Sequence, residues 1–334
     1  VALAVGGALL TGTAAADARS QNPPGKNLIP RDAQTEILAE FDKYEVVAGD
    51  SPYNFYLDLI RNPAFPDKVN DIVVECGNSL YQSILDRYIA GADVPLSDVQ
   101  QVWRNTSQPS CGFSTFYEQL FPLVRRINEK LPPEKKLRVV ASELPLDWSK
   151  VKSPEDLTPF LERDKNIAAV MKNEVLSKHR KALMLFGVGH LLHGGGSAVA
   201  MYEKEYPSVT FTIVGHRGFA KDNDELEKRM APWPSFTPFA GTWLGDLDSS
   251  YFESRPGQPP ADRGYPGADG YLYMGPRDLL LREPISVKAV LDKNYIAELQ
   301  RRATAVQEPP MDPAVIFQRE AESSVLAYDP DQGP

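Results

Sequence analysis

The sequence predicts an α/β protein: a mostly parallel central sheet with helices on both faces. Three observations carry this. Short uncharged runs at residues 182–186 and 209–214 have the length and composition of strands buried on both faces. Such runs alternate with amphipathic stretches long enough to be helices, the βαβ pattern of a parallel sheet. Between those two runs, Gly187, Gly189 and Gly194-Gly-Gly196 make a backbone-exposed turn that leads into a helix at 197–206. A chain of 334 residues, 42% hydrophobic and 24% charged, can bury a full core.

Taken in order, the first 18 residues are apolar and close on Ala16-Asp17-Ala18, an A-x-A pattern that predicts a cleaved leader and an exported protein. Residues 19–31 read as a linker, and residues 32–334 as a single α/β domain with its core at about 40–220. A helix at 34–43 turns Ile37, Leu38 and Phe41 inward, and a strand at 45–48 ends in Gly49-Asp50-Ser51-Pro52. The next helix spans 52–61. A second strand at 71–75 ends on Glu75, and Asn78 caps a helix reaching about residue 90. Helices at 96–104 and 114–131 follow, the latter stopped by Pro132-Pro133.

The third strand, 137–141, leads to Ser142-Glu143. Ser153-Pro154-Glu155 then starts one long helix to about residue 178: Ser caps, Pro takes the first turn, and Glu faces the helix dipole. Its expected buried stripe is Leu157, Phe160, Leu161, Ile167, Ala168, Met171 and Val175, and His179 is expected at the surface of its basic end. After the strand at 209–214 comes a helix at 222–230. Residues 231–275 form a long Pro/Gly/aromatic loop with little periodicity outside 271–274, of the kind that serves as a lid or binding loop. A helical extension at 292–306 and 313–324 ends the chain. Cys76 and Cys111 are its two cysteines. A disulfide between them would stabilise by about 3–4 kcal/mol, while a free thiol after a buried strand packs as a small hydrophobe, so both states stay open.

The five strands run out at Asp50, Glu75, Glu143, His190 and His216, and a parallel sheet places all five on one edge. Carboxylates and imidazoles gathered there perturb one another's pKa values and activate water. His190, Glu75, Glu143 and Asp50 are therefore the candidate catalytic residues. Gly187, Gly189, His193, His216, Trp243 and Tyr271 are candidate ligand-binding residues. His190 and His193 share the i, i+3 spacing that puts two imidazoles on one helical face, and with Glu75 they would make a divalent-metal set. The glycines would alternatively offer backbone N–H groups to an anion. No Gly-x-Ser-x-Gly elbow, Walker A motif or Gly-x-Gly-x-x-Gly fingerprint after the first strand occurs, which disfavours the usual serine-hydrolase and nucleotide readings. A net charge of −9 gives no footprint for nucleic acid, and no later apolar run is long enough to cross a bilayer.

Gly187-Val-Gly-His190 after a buried strand, with Glu75 ending an earlier one, resembles the superfamily that joins erythromycin esterases, ChaN-like haem-uptake lipoproteins and Tiki/TraB proteins. The resemblance covers about residues 40–220. It implies two Gly-x-x-His motifs and an acidic residue on one sheet edge: Gly187 and His190 match the second motif, and Glu75 the acid. The first motif departs from the pattern, because Gly49-Asp50-Ser51-Pro52 carries Pro52 at the histidine position and none of the four histidines precedes residue 179. The esterase chemistry that the resemblance implies uses that first histidine as general base. Two function classes follow. One is an exported hydrolase in which His190 or Glu75 activates water toward a small-molecule ester or amide. The other is a secreted binder of haem or another planar ligand, with Trp243, Tyr251 and Tyr271 lining its pocket.

Overall fold

The computed structural model describes residues 31–50, 53–218, 220, 222–247, 267–280, 283–309, 312, 314 and 315. The expected leader, most of the linker and the helix at 313–324 fall outside these residues, apart from Ala314 and Val315. Within them the strands are β1 (Arg31–Asp32), β2 (Val46–Gly49), β3 (Asp71–Asn78), β4 (Arg138–Glu143), β5 (Ala182–Leu185), β6 (Thr210–Gly215), β7 (Ser235–Pro238) and β8 (Gly270–Tyr273). They form one sheet in the order β1-β7-β8-β6-β2-β5-β3-β4. From β8 to β4 every pairing is parallel, and β7 runs antiparallel to both its neighbours.

Strand alternation sorts the core onto two faces. Val47, Ile72, Val74, Leu183, Leu185 and Ile213 pack on one side with the helices Ala33–Glu40, Tyr53–Arg61, Gln82–Ile89, Leu96–Arg104 and Thr115–Asn128. Val46, Ala48, Val73, Ala182 and Met184 pack on the other with Arg163–Val170 and Ala198–Tyr202. The two strands at the centre, β2 and β5, are apolar throughout because both faces are covered. No helix among the described residues is long and apolar enough to cross a membrane.

Two expectations need correction. The expected single helix from Ser153 is several pieces: Pro154–Leu157, a 3-10 turn Thr158–Phe160, a new helix Arg163–Val170, a π turn Met171–Val175 and a 3-10 turn Leu176–Lys178. Pro159 is the cause, since proline removes a backbone donor and clashes with the preceding turn. The break resets the phase of the stripe, so Leu161 is 60% exposed while Ile167, Ala168, Met171 and Val175 are buried. The second correction concerns 231–275, which contributes β7 as well as β8. Residues Ser235, Phe236 and Thr237 are buried on an antiparallel strand that ends at Pro238, and the surrounding prolines and glycines obscured so short a run. His179 is at the surface as expected, in a left-handed backbone conformation that ends the last turn.

Candidate active site

Parallel pairing carries the strand ends to one edge, in the spatial order His216, Asp50, the Gly187–His190 turn, Glu75 and Glu143. At Glu75 the strand itself is modified. Val74 pairs with Ala141 but Asn78 pairs with Glu143, so the 75–77 segment bulges out of register and re-aims the Glu75 side chain. Gly77 makes this bulge fit, because a Cβ there would lie 2.7 Å from the Ala141 Cα. Cys76, also in the bulge, forms a disulfide with Cys111, their Cα atoms 5.7 Å apart.

The cluster closes around Arg163, the first residue of the helix that restarts after Pro159. Arg163 Nη2 donates to Glu75 Oε1 at 2.9 Å, its Nε lies 3.6 Å from Glu143 Oε1, and its Nη1 lies 3.2 Å from His190 Nε2. The Gly187 N–H donates to Glu75 Oε2 at 2.7 Å. Asp164 Oδ1 is 2.8 Å from His190 Nδ1. A carboxylate only accepts, so Nδ1 carries the proton and Nε2 presents a lone pair to the cluster. The Ser107 N–H donates to Glu143 Oε2 at 2.9 Å and its hydroxyl lies 3.1 Å from Oε1. Gln108 rests against Arg163 and, with its amide turned so that the oxygen faces the guanidinium, accepts from Nη2 at 2.7 Å. The side chains of Glu75, Glu143, Arg163 and His190 are only 7–16% exposed, so their interactions escape most solvent screening.

The two carboxylates are pushed apart. Burial favours the neutral form of both. In Glu75 it is outweighed by the Arg163 charge, the Gly187 N–H, the Arg163 hydrogen bond and His190, which hold the carboxyl below its ordinary range. In Glu143 burial wins over the Ser107 and Arg163 interactions, and the nearby Glu75 charge adds to it, so its pKa is raised. A small recess, with room for about one water-sized sphere, opens beside Glu143, lined by Ser142, Leu144, Phe160, Arg163 and Asn166. Ser142 is no nucleophile there, since its hydroxyl is buried and donates to the Val74 carbonyl at 2.7 Å.

The remaining candidates belong to other groupings. Asp50 is buried and paired with Arg217. His216 Nδ1 is 2.6 Å from the Tyr271 hydroxyl, and burial lowers its pKa against the pull of Glu227. His193 turns away from His190 because the 3-10 turn Val188–His190 ends at Leu191, before His193 is reached. Its Nδ1 lies 2.6 Å from Glu203 Oε2 and its Nε2 2.8 Å from Asp269 Oδ2. Both ring nitrogens are thus used, and the metal set of His190, His193 and Glu75 does not form. Among the described residues no group of three or more His, Cys, Asp or Glu is placed to hold a metal ion. Of the glycine N–H groups proposed for an anion, that of Gly187 is taken by Glu75, and at the start of the following helix Ala198 N–H donates to Asp164 Oδ1 at 2.7 Å and Ala200 N–H to Ser197. Gly189 has open space around it and makes no such contact. Of the aromatics, Tyr271 is buried and bonded to His216, and the Arg229 guanidinium stacks over the Trp243 ring at 3.8 Å. Tyr251 lies outside the described residues.

Sequence reasoning missed Arg163, Asp164, Ser107 and Gln108. Pro159 was the available signal for the first two, because a helix restarting after it puts an Arg-Asp pair in a first turn. Nothing local marks Ser107 or Gln108.

No family model matches the chain, and no curated protein matches it. Among solved structures, a crystal structure of a Bacillus cereus protein is similar at 9% identity, with coverage of 73% of this chain and 98% of that one. The TM-score is 0.42, too low to support an inference.

Proposed function

We propose that this chain is a hydrolase that uses His190 to activate water toward an ester or amide, in keeping with the esterase side of the superfamily it resembles. The observation that supports it best is the His190–Asp164 pair, which fixes the imidazole with its Nε2 lone pair toward Glu75, 3.7 Å away, and Arg163. In this reading a water that reaches Nε2 gives its proton to His190 as its oxygen attacks the acyl carbon. Arg163, held by Glu75, faces the oxyanion. Glu143, with its raised pKa, gives a proton to the leaving alcohol or amine as the acyl bond breaks, and the imidazolium proton then resets the site. This assignment does without the first-motif histidine, because the base is His190 itself. A leader at 1–18 would make it an exported enzyme.

A panel of activated esters and amides tests the reading. Hydrolysis by the full chain should fall at least about 100-fold in His190→Ala and in Glu75→Gln, as expected for loss of a general base or its partner. Turnover unaffected by His190→Ala would remove the assignment.

A further inference from the structure

The segment between the helix Leu96–Arg104 and the 3-10 turn Pro109–Phe113 is irregular, yet it is held from several directions. The Arg104 carbonyl accepts from Arg302 Nη1 at 2.8 Å and from the Tyr295 hydroxyl at 3.4 Å. The Asn105 carbonyl accepts from Asn78 Nδ2 at 2.7 Å, and the Thr106 carbonyl from Trp148 Nε1 at 3.1 Å. Arg302 also donates to the Asn105 side chain, and the Cys76–Cys111 disulfide ties the far end of the segment to the bulge that carries Glu75. A loop whose three consecutive carbonyls all receive side-chain donors is fixed in position. The residue it fixes is Ser107.

Among the described residues Ser107 is the one neutral group that meets both oxygens of Glu143. The charged groups facing that carboxylate are Arg163, from the helix Arg163–Val170, and Glu75, from β3. A hydroxyl differs from an amide N–H in that it turns: it donates to a carboxylate and accepts from a carboxylic acid. We infer that Ser107 is a positioning residue for proton transfer at Glu143, its hydroxyl donating to Oε1 when the carboxylate is charged and accepting from the carboxyl O–H when it is protonated. Glu143 thereby keeps the same hydrogen-bond partner through a proton cycle, while the Ser107 N–H holds Oε2. The inference rests on the hydrolase reading for its purpose, but not for its test.

The test is the titration of Glu143 in the full chain, followed by side-chain ¹³C NMR and assigned by comparison with Glu143→Gln. Removing a donor to the charged form disfavours that form, so Ser107→Ala and Ser107→Gly should each raise the midpoint by about half a pH unit or more, and Ser107→Thr, which keeps the hydroxyl, should restore it. Far-UV circular dichroism should show the same fold in all three. With an ester that the enzyme turns over, Ser107→Ala should lower kcat about tenfold at unchanged KM, and the limb of the pH profile should move with the midpoint. A midpoint unchanged or lowered in both hydroxyl-deleted variants, or a rise that Ser107→Thr does not reverse, overturns the inference. If the midpoint moves but the wild-type chain hydrolyses none of the panel, the role of Ser107 stands and the hydrolase reading fails.

Discussion

Asp164 Oδ1 accepts from His190 Nδ1 at 2.8 Å and, with the same oxygen, from the Ala198 N–H at 2.7 Å. One carboxylate thus orients the imidazole and satisfies the start of the helix Ala198–Tyr202, coupling the Gly187–His190 turn to the helix that follows it. Replacing Asp164 by Ala should free the ring. We expect kcat for ester hydrolysis to fall about 100-fold with little change in KM. Histidine ¹⁵N NMR should show a mixed tautomer at His190 where the wild type shows the Nδ1–H form; an unchanged tautomer in the variant would contradict the orienting role.

His193 carries a pH dependence whose sign follows from its partners. Hydrogen bonds to Asp269 and Glu203 raise its pKa to about 10, against the effect of burial. A raised folded-state pKa gives stability fully present below the unfolded value near 6.5 and lost as pH climbs through the folded one. His193→Gln should therefore destabilise by about 2 kcal/mol at neutral pH, and the gap in Tm from wild type should narrow from pH 7 to 10. Thermal melts across that range check it, and a gap that widens would be inconsistent with a charged imidazole.

Glu143 is predicted to trade stability for chemistry. Its folded pKa is raised, so its favourable contribution exists at low pH, below the unfolded carboxyl value, and is lost as pH rises through the folded value. At a pH above the folded value Glu143→Gln removes a buried charge, and Tm should rise by about 1–2 °C while hydrolysis falls. A clear drop in Tm there would count against the burial argument.

At the opposite edge of the sheet, fully buried Asp71 accepts from two arginines. Arg138 Nε and Nη2 donate at 3.1 and 3.0 Å, and Arg180 Nε and Nη2 both at 2.7 Å. Asp71→Ala removes the shared buried acceptor, although Arg138 keeps its bonds to Glu174 and both guanidinium groups reach solvent, and should cost about 1–3 kcal/mol. Because this knot lies far along β3 from Glu75, kcat of the folded fraction should not change. Denaturant titration alongside kinetics separates the two effects.

The Cys76–Cys111 disulfide closes a 35-residue separation, for which chain entropy gives about 3–4 kcal/mol. The double variant Cys76→Ser/Cys111→Ser should unfold at correspondingly lower urea. It should also exchange the Ser107 amide proton faster, while Val73 in the central sheet stays protected. Equal loss of protection at both positions would mean that the disulfide supports the whole fold rather than the Ser107 segment.

The sequence by itself determined the sheet. Runs such as Ala182–Leu185 and Thr210–Gly215 carry no charge at any position, as a strand covered on both faces requires, and the alternation with amphipathic helices makes the order parallel. Parallel order then brings Glu75, Glu143 and His190 to one edge, so half of the candidate site was legible from where strands end. Tertiary structure decided which of these edge residues meet. His193 and His216 share the edge or its turn, yet each is drawn off by its own partners, Asp269 and Glu203 for one and Tyr271 for the other. Arg163, Asp164 and Ser107 join the site from distant segments. The physical reason is locality. Periodicity records which face of an element is apolar, a property of neighbouring residues. Whether a charged residue in a first helical turn is solvated or locked between two carboxylates depends on desolvation and on charges brought close only by folding, and Arg163 reads the same in sequence either way.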